Sequence, residues 1–467
     1  MSIVNKSLLF IFRHPLFPRS LQTIGLIFYT GLIWFSLGVL VPQGEGSKFF
    51  AQNNLVTLIV WGVWLPFLII GTVFLGRVWC TVCPLELVNS VGEKLGRYFG
   101  FKRITLPKAL NNGIISVVIY SSLLFMVIST RFPRVPGNVA ILLGALLVVA
   151  IVSGFLYGDR IFCKVICPAA MLLRTYGQRG MLHIAKGQPH LCASCNDKGC
   201  VSATNEQQRS CPNGLDPRIL KDSSNCTFCG QCVKFCSNQN IAPLIRKMPS
   251  IPSGKQEDFA FEVTIFAFFL SGFVIEEMFH EWHLGEYYYS FLPDAFKRLI
   301  HIKPFFGFVD GIWSMVVVPL MLWLLIGLIG KALNLATTIK KIWFRISLPL
   351  ITILIGAQLV RAFSKFSDWI THLTSAFEGF IQRIILHPLP IFSTVGFSMP
   401  ETSEGLYARH FFSNNTILIF SLMVLTLFSW FAIKEAKNIS EDGNKYSYMI
   451  AILAVLNMVV VIMPRFQ

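Results

Sequence analysis

Long apolar runs separated by short polar stretches make up most of the chain. Runs near 22–41, 55–75, 113–130, 138–157, 259–275, 312–330, 346–360, 416–433 and 448–464 reach or approach the length at which a helix crosses about 30 Å of hydrocarbon. The pattern predicts an all-α polytopic membrane protein with about nine transmembrane helices. One stretch interrupts it. Residues 168–258 are polar, are punctuated by Gly187, Pro189, Pro212, Asn213, Gly214 and Pro217, and hold too few apolar residues to fold on a hydrophobic core alone. The expected organisation is a four-helix membrane unit over 1–167, a polar insert over 168–258 and a five-helix membrane unit over 259–467.

Composition agrees: 54% of the 467 residues are hydrophobic and 14% are charged. The first run begins too late for a cleaved leader, and nothing near Gly38–Gln43 reads as a small-residue cleavage site. Basic residues set the expected orientation, because cytoplasmic loops retain Lys and Arg. With the N-terminus inside, the inner segments hold 29 of the 40 Lys and Arg. The insert then lies in the cytoplasm, the C-terminus lies outside, and the expected location is the inner (cytoplasmic) membrane. The net charge of +16 reads as topology and attraction to anionic lipid. No basic, aromatic-bearing soluble module suggests a nucleic-acid partner.

All 12 cysteines fall within residues 80–236. An inner-side location argues against disulfides and makes metal ligation the default. The sharpest signal is Cys226-x2-Cys229-x2-Cys232-x3-Cys236, the spacing with which a bacterial ferredoxin loop wraps a 4Fe-4S cubane and sends its fourth thiolate to a neighbouring cluster. Three cysteines at successive three-residue intervals suit one tetrahedral zinc ion poorly. The partner half is Cys192-x2-Cys195-x4-Cys200, followed by Cys211-Pro212. With the exchange usual in two-cluster ferredoxins, one cluster takes Cys192, Cys195, Cys200 and Cys236, and the other takes Cys211, Cys226, Cys229 and Cys232. The first half is irregular in its third spacing, and Ser237 stands where a proline is usual.

The remaining four cysteines lie in a duplication. Val73-Phe-Leu-Gly-Arg-Val-Trp-Cys-Thr-Val-Cys-Pro84 matches Phe155-Leu-Tyr-Gly-Asp-Arg-Ile-Phe-Cys-Lys-Val-Ile-Cys-Pro168. Each copy places a Cys pair at the inner end of a span and an Arg three residues before it. Cys80, Cys83, Cys163 and Cys167 admit three readings. They hold a third cluster, with Arg77 and Arg160 offsetting its charge; they form a dithiol/disulfide relay; or they are packed passengers of two Cys-Pro helix ends.

These motifs, over roughly residues 20–245, resemble the NapH/NosR-type membrane polyferredoxin family. The resemblance rests on two Gly-Arg…Cys-x(2,3)-Cys-Pro elbows followed by a double 4Fe-4S ferredoxin. It implies electron transfer between the quinone pool, an outer-side redox partner and cytoplasmic protein carriers. The chain departs from the family pattern at Cys80-Thr-Val-Cys83-Pro84, where two residues separate the cysteines instead of three. No flavinylation sequence of the larger NosR-like proteins is present. The five C-terminal helices fall outside the resemblance.

In that C-terminal unit His280, His283, His301, His372, His387 and His410 lie on or near the expected outer side, with Glu276 and Glu277 one helical turn before His280 and with Glu281 and Glu286 close by. A quinol site, in which a His and a carboxylate take the protons, is one reading. A b-type haem between His280 or His283 and His372 or His387 is another. Ordinary interfacial loop residues are the third. Residues 362–386 read as an amphipathic helix lying on the outer surface, with Phe363, Phe366, Trp369, Ile370, Leu373, Phe377, Ile381 and Ile384 at helical spacing. Tyr287, Tyr288 and Tyr289 read as an interfacial aromatic belt.

The sequence therefore points to a membrane-bound iron–sulfur electron-transfer protein, quinol-oxidising or quinone-reducing. The alternatives are an accessory protein supplying electrons for maturation of a metalloenzyme or cytochrome, and a redox sensor. A transporter is disfavoured by the absence of paired broken helices with charges at mid-membrane.

Overall fold

The computed structural model describes residues 3–41, 46–107, 113–157, 160–201, 211, 213–220, 223–246, 260–300, 306–386, 411–439 and 443–466. It is 76% helical with almost no sheet, as the apolar pattern predicts. Among the described residues seven helices are long and apolar enough to cross a membrane: Leu55–Leu75, Pro136–Tyr157, Phe261–Glu281, Phe306–Ala332, Ile339–Ile370, Asn414–Lys437 and Gly443–Ile462. The two other expected spans also form helices. Ile114–Thr130 is apolar but short, and Arg19–Ser36 starts with Arg19 and Gln22, which dilute its apolar run.

The chain divides into two compact units, one of Met1–Phe35, Ile70–Ser116 and Ala140–Ile251, the other of Ser36–Ile69, Val117–Val139 and Pro252–Gln467. In the first unit the two elbows are built alike at their exits. Cys83 and Cys167 both have ψ 124°, because a residue before proline is pushed out of the helical region. Pro84 then opens the helix Pro84–Tyr98 at its first position, where the missing N–H costs nothing. Entry differs. The first Cys pair stands on an α-turn, Trp79–Val82, and the second on a π-turn, Phe162–Ile166. A π-turn holds one residue more, which absorbs the longer Cys163-x3-Cys167 spacing.

The insert is closed by an antiparallel pair of strands, Leu182–Lys186 and Ile241–Ile245, in the register Leu182↔Ile245 to Lys186↔Ile241. The run from Cys192 to Cys236 is thereby a loop tied at its base. Its small core joins Leu182, Ile184, Phe228, Val233 and Ile241 with Phe12 and Phe17 from the N-terminal segment, and Cys192, Cys226, Cys232 and Cys236 pack against it. Main-chain contact between the strand base and the first elbow is close: Met181 N–H bonds Phe74 O at 2.7 Å, and a Cβ on Gly180 would lie 2.4 Å from Gly76 Cα.

The second unit is organised around Ile339–Ile370, whose apolar window is 89% buried and which packs on Phe261–Glu281, Phe306–Ala332, Asn414–Lys437 and Gly443–Ile462. The expected surface helix over 362–386 is not one element. Residues 362–370 continue this central helix, and a separate helix, Leu373–Leu386, begins after His372. Over residues 363–369 the aromatic stripe is covered by protein, whereas Leu373, Phe377 and Ile381 of the second helix are exposed. Phe363 stacks on Phe412 and Phe420, Phe366 meets Phe67 edge-on, and Trp369 fills the space over Gly62.

Candidate iron–sulfur sites and a buried polar network

The twelve cysteines fall into three groups in the first unit. Cys80, Cys83, Cys163 and Cys167 form one. Cys83, Cys163 and Cys167 line an apolar cluster with Leu85, Ala150, Phe162 and Tyr29. Burial, then the charge of neighbouring thiols in the group, pushes Cys163 far above the usual thiol range and Cys167 up to about 11. Cys211, Cys226, Cys229 and Cys232 form the second: Cys226 is raised to about 12 by burial and then by Cys229 and Cys211, and Cys232 is raised further by burial and the other three.

Cys192, Cys195, Cys200 and Cys236 form the third group, and Asn240 ties two of its members together. Its backbone N–H donates to Cys236 Sγ and its side-chain Nδ2 donates to Cys192 Sγ, both at 3.2 Å. Cys200 is raised to about 11 by burial and Cys236. Cys195 is shifted the other way, chiefly by the Lys198 backbone N–H and then by Ser237, whose Oγ lies 3.8 Å from its sulfur.

Two arginines join the elbow group to the cysteine loop. Both are almost fully buried. Arg77 donates to Ser224 O and to Cys163 O at 3.4 Å. Although burial opposes its charge, the Cys80, Cys163 and Cys167 thiols favour it. Arg160 donates to Thr227 Oγ1 at 3.3 Å and pairs with buried Glu86; Glu86, Cys229 and Cys163 hold it protonated against burial. Thr81, between the first elbow cysteines, donates towards Thr227 O and Phe228 O at 3.3 Å. Gln22 donates to Thr81 O at 3.1 Å and also to Glu86. Glu86, Gln22, Thr81 and Asn240 were not singled out from the sequence, since each becomes informative only when its distant partner is known.

Four thiols collected in apolar surroundings beside buried cations fit a group that keeps them as thiolates and disperses their charge, as a 4Fe-4S cluster does. Among the described residues no three His, Cys, Asp or Glu side chains converge closely enough for a single metal ion.

The second unit holds a different site. His280 stands between two carboxylates, with Nε2 3.3 Å from Glu276 and Nδ1 3.7 Å from Glu286. Arg361, from the central helix, pairs with Glu281 and lies 4.0 Å from Glu277. Tyr289 lies edge-on to His280 and donates to Ser314 Oγ at 2.8 Å. His283 opens the next helix, His283–Ile300. His372 is buried apart from this pair, against Asn53: Asn53 Nδ2 donates to Phe49 O, so its oxygen faces His372 Nδ1 at 3.2 Å and Ser375 Oγ at 2.6 Å. His301, His387 and His410 lie outside the described residues.

The profile described as "4Fe-4S binding domain" matches the chain twice, at residues 57–102 and 140–184. Each match contains one elbow, so the repeat seen in the cysteine geometry is also a repeat of a known domain. The fold and these matches define a membrane iron–sulfur protein with 4Fe-4S chemistry. More narrowly, part of the chain is similar to a NapH-like polyferredoxin. It is 26% identical over 177 residues to the ferredoxin-type protein NapH of Escherichia coli (strain K12), an alignment that spans 34% of this chain and 59% of NapH. No solved structure matches.

Proposed function

We propose that the chain is an electron conduit with three 4Fe-4S clusters, held by Cys192/Cys195/Cys200/Cys236, by Cys211/Cys226/Cys229/Cys232 and by Cys80/Cys83/Cys163/Cys167. The observation that carries this reading is the pair of buried arginines shared between the elbow thiols and the cysteine loop. Arg160 has Glu86 as its partner, but a passenger role for the elbow cysteines gives no reason to bury the Arg77 guanidinium beside them. Bound clusters would supply one-electron redox chemistry. The chain's own residues exclude water from the elbow group, balance its charge through Arg77 and Arg160, and fix the loop against the elbows through Thr81.

In the second unit, the His280–Glu276 pair is read as the proton acceptor of a quinol site, with Glu286 and Tyr289 beside it. A haem ligated by His280 is disfavoured, because both ring nitrogens already face carboxylates. The excess of Lys and Arg in alternate loops supports placing the cysteine loop on the cytoplasmic side, where a protein partner would exchange electrons. The test is iron and acid-labile sulfide per chain. About twelve irons are expected, falling to about eight in Cys80→Ser/Cys163→Ser, whereas about eight in the parent chain would remove the third cluster. Failure of quinol analogues to reduce the clusters, with His280→Ala unchanged from the parent chain, would remove the quinol site.

A further inference from the structure

Between two of the membrane-crossing helices of the second unit lies one that the apolar pattern passes over. His283–Ile300 is separated from Phe261–Glu281 by Trp282 alone and from Phe306–Ala332 by residues 301–305. It carries Glu286, Asp294, Lys297 and Arg298, too many charges for a span of its own. Its neighbours on either side in sequence both cross the bilayer, so both of its ends are held at the same membrane boundary.

The corner that starts this helix is well defined. Trp282 is extended, at φ −106° and ψ 108°, which ends the preceding span. Its carbonyl accepts from Glu286 N–H at 2.7 Å, which opens the new helix. Gly285 makes room for the Trp282 ring, since a Cβ there would lie 2.3 Å from it. Across the corner Phe279 stacks on Tyr289, with ring centroids 5.4 Å apart.

The two faces differ. On one, Tyr289 donates to Ser314 Oγ at 2.8 Å and Lys297 pairs with Asp294 and Asp310, while Glu286 lies 3.7 Å from His280. On the other, Leu284, Tyr288, Phe291, Leu292, Phe296 and Leu299 recur at helical spacing, each 51–75% exposed. Arg298, in the last turn on that side, is long enough to reach headgroup phosphates.

We propose that His283–Ile300 is an interfacial helix whose apolar face rests in the bilayer surface, so that its partner is lipid. The occupant follows from where the helix is tethered. Both of its ends run into spans, and the next span presents an exposed apolar row of its own in Phe308, Ile312 and Val316. Apolar residues over a polar, protein-bound face are the pattern of a helix lying in the headgroup and upper acyl region, and tyrosine rings settle at that level. Lipid contact on one side thereby holds Glu286 and Tyr289 beside His280 on the other.

The test is photo-crosslinking of the full chain in native membranes, with p-benzoylphenylalanine in place of Phe291 or of Phe296. The same replacement at Leu325, in the following span, is the lipid reference. Mass spectrometry of the digests should find phospholipid adducts at both helix positions, in yield comparable with that at Leu325 and lost without irradiation. Adducts chiefly with peptides of the same molecule would show that another segment covers the face. Cross-linked pairs of chains would assign it to a second copy, and adducts with a different protein would assign it to a protein partner. Each of these overturns the proposal, as do lipid adducts at Leu325 with none at Phe291 or Phe296, which would leave the face in water.

Discussion

Arg160, at the entrance to the second elbow, forms a buried ion pair with Glu86, on the helix leaving the first. The two halves of the duplication are thus locked to each other by a charge pair, and a second nitrogen of the same guanidinium reaches Thr227 of the cysteine loop at 3.3 Å. Removing one partner of such a pair strands the other charge. Arg160→Gln should therefore lower stability by about 3–5 kcal/mol, seen as a fall in melting temperature in detergent. A change near zero would mean that the pair is solvated and holds nothing together.

Asn240 predicts a redox effect. Two of its donors lie 3.2 Å from Cys236 and Cys192, and hydrogen bonds to cluster thiolates raise the potential. Asn240→Leu keeps the backbone donor and removes the side-chain one. One midpoint potential should fall by about 60 mV, the equivalent of about 1.4 kcal/mol for a one-electron couple. Redox titration followed by EPR reads it, and unchanged potentials would show that the Cys192 contact carries no weight.

Gly180 should resist any side chain. Its Cβ would lie 2.4 Å from Gly76 Cα and N, atoms of the main chain that cannot swing aside. Gly180→Ala is expected to cost about 1–3 kcal/mol and to loosen the strand base from the first elbow. Gly31→Ala, which meets nothing within 4 Å, serves as the control and should be neutral or slightly stabilising. Equal melting temperatures for the two variants would contradict the contact.

His372 gives a pH dependence. Burial holds its imidazole below the ordinary value of 6.5, so the folded chain keeps it neutral where the unfolded chain takes up a proton. Its contribution is complete above about pH 6.5 and is lost as pH falls below that, through the folded pKa. His183 is shifted in the same direction, by burial and then by Arg246, so the comparison must be with His372→Gln. The stability gap between parent and variant should narrow from about pH 8 to about pH 5; a gap constant with pH would rule out the assignment.

The membrane helices and the loop Cys226–Cys236 were legible because each is a local pattern, a run of apolar residues or a fixed spacing. The division at Cys211 was legible only through the ferredoxin analogy. Residues 362–370 misled because a helical aromatic stripe looks the same whether lipid or protein covers it. Phe412, Phe420, Phe67 and Gly62 supply the cover from places far away in sequence. Glu86 and Gln22 read as an unremarkable acid and amide until folding brings them to Arg160 and Thr81. Arg361 reads as an interfacial charge until it meets Glu277 and Glu281. Long-range polar pairing has no sequence period, so it is the part that hydropathy and motif spacing leave unread.

The π-turn between Cys163 and Cys167 has a consequence for how the two elbows can diverge. An added residue in an ordinary loop would shift everything after it, but here it is taken up within one turn of helix. Cys167 still leaves with the same backbone ψ as Cys83, although the helix after Pro168 begins only at Ala170. Length and register are decoupled at that position, so the two copies can drift apart in residue count while presenting the same pair of sulfurs. A motif search that demands one fixed spacing would find only half of such a pair.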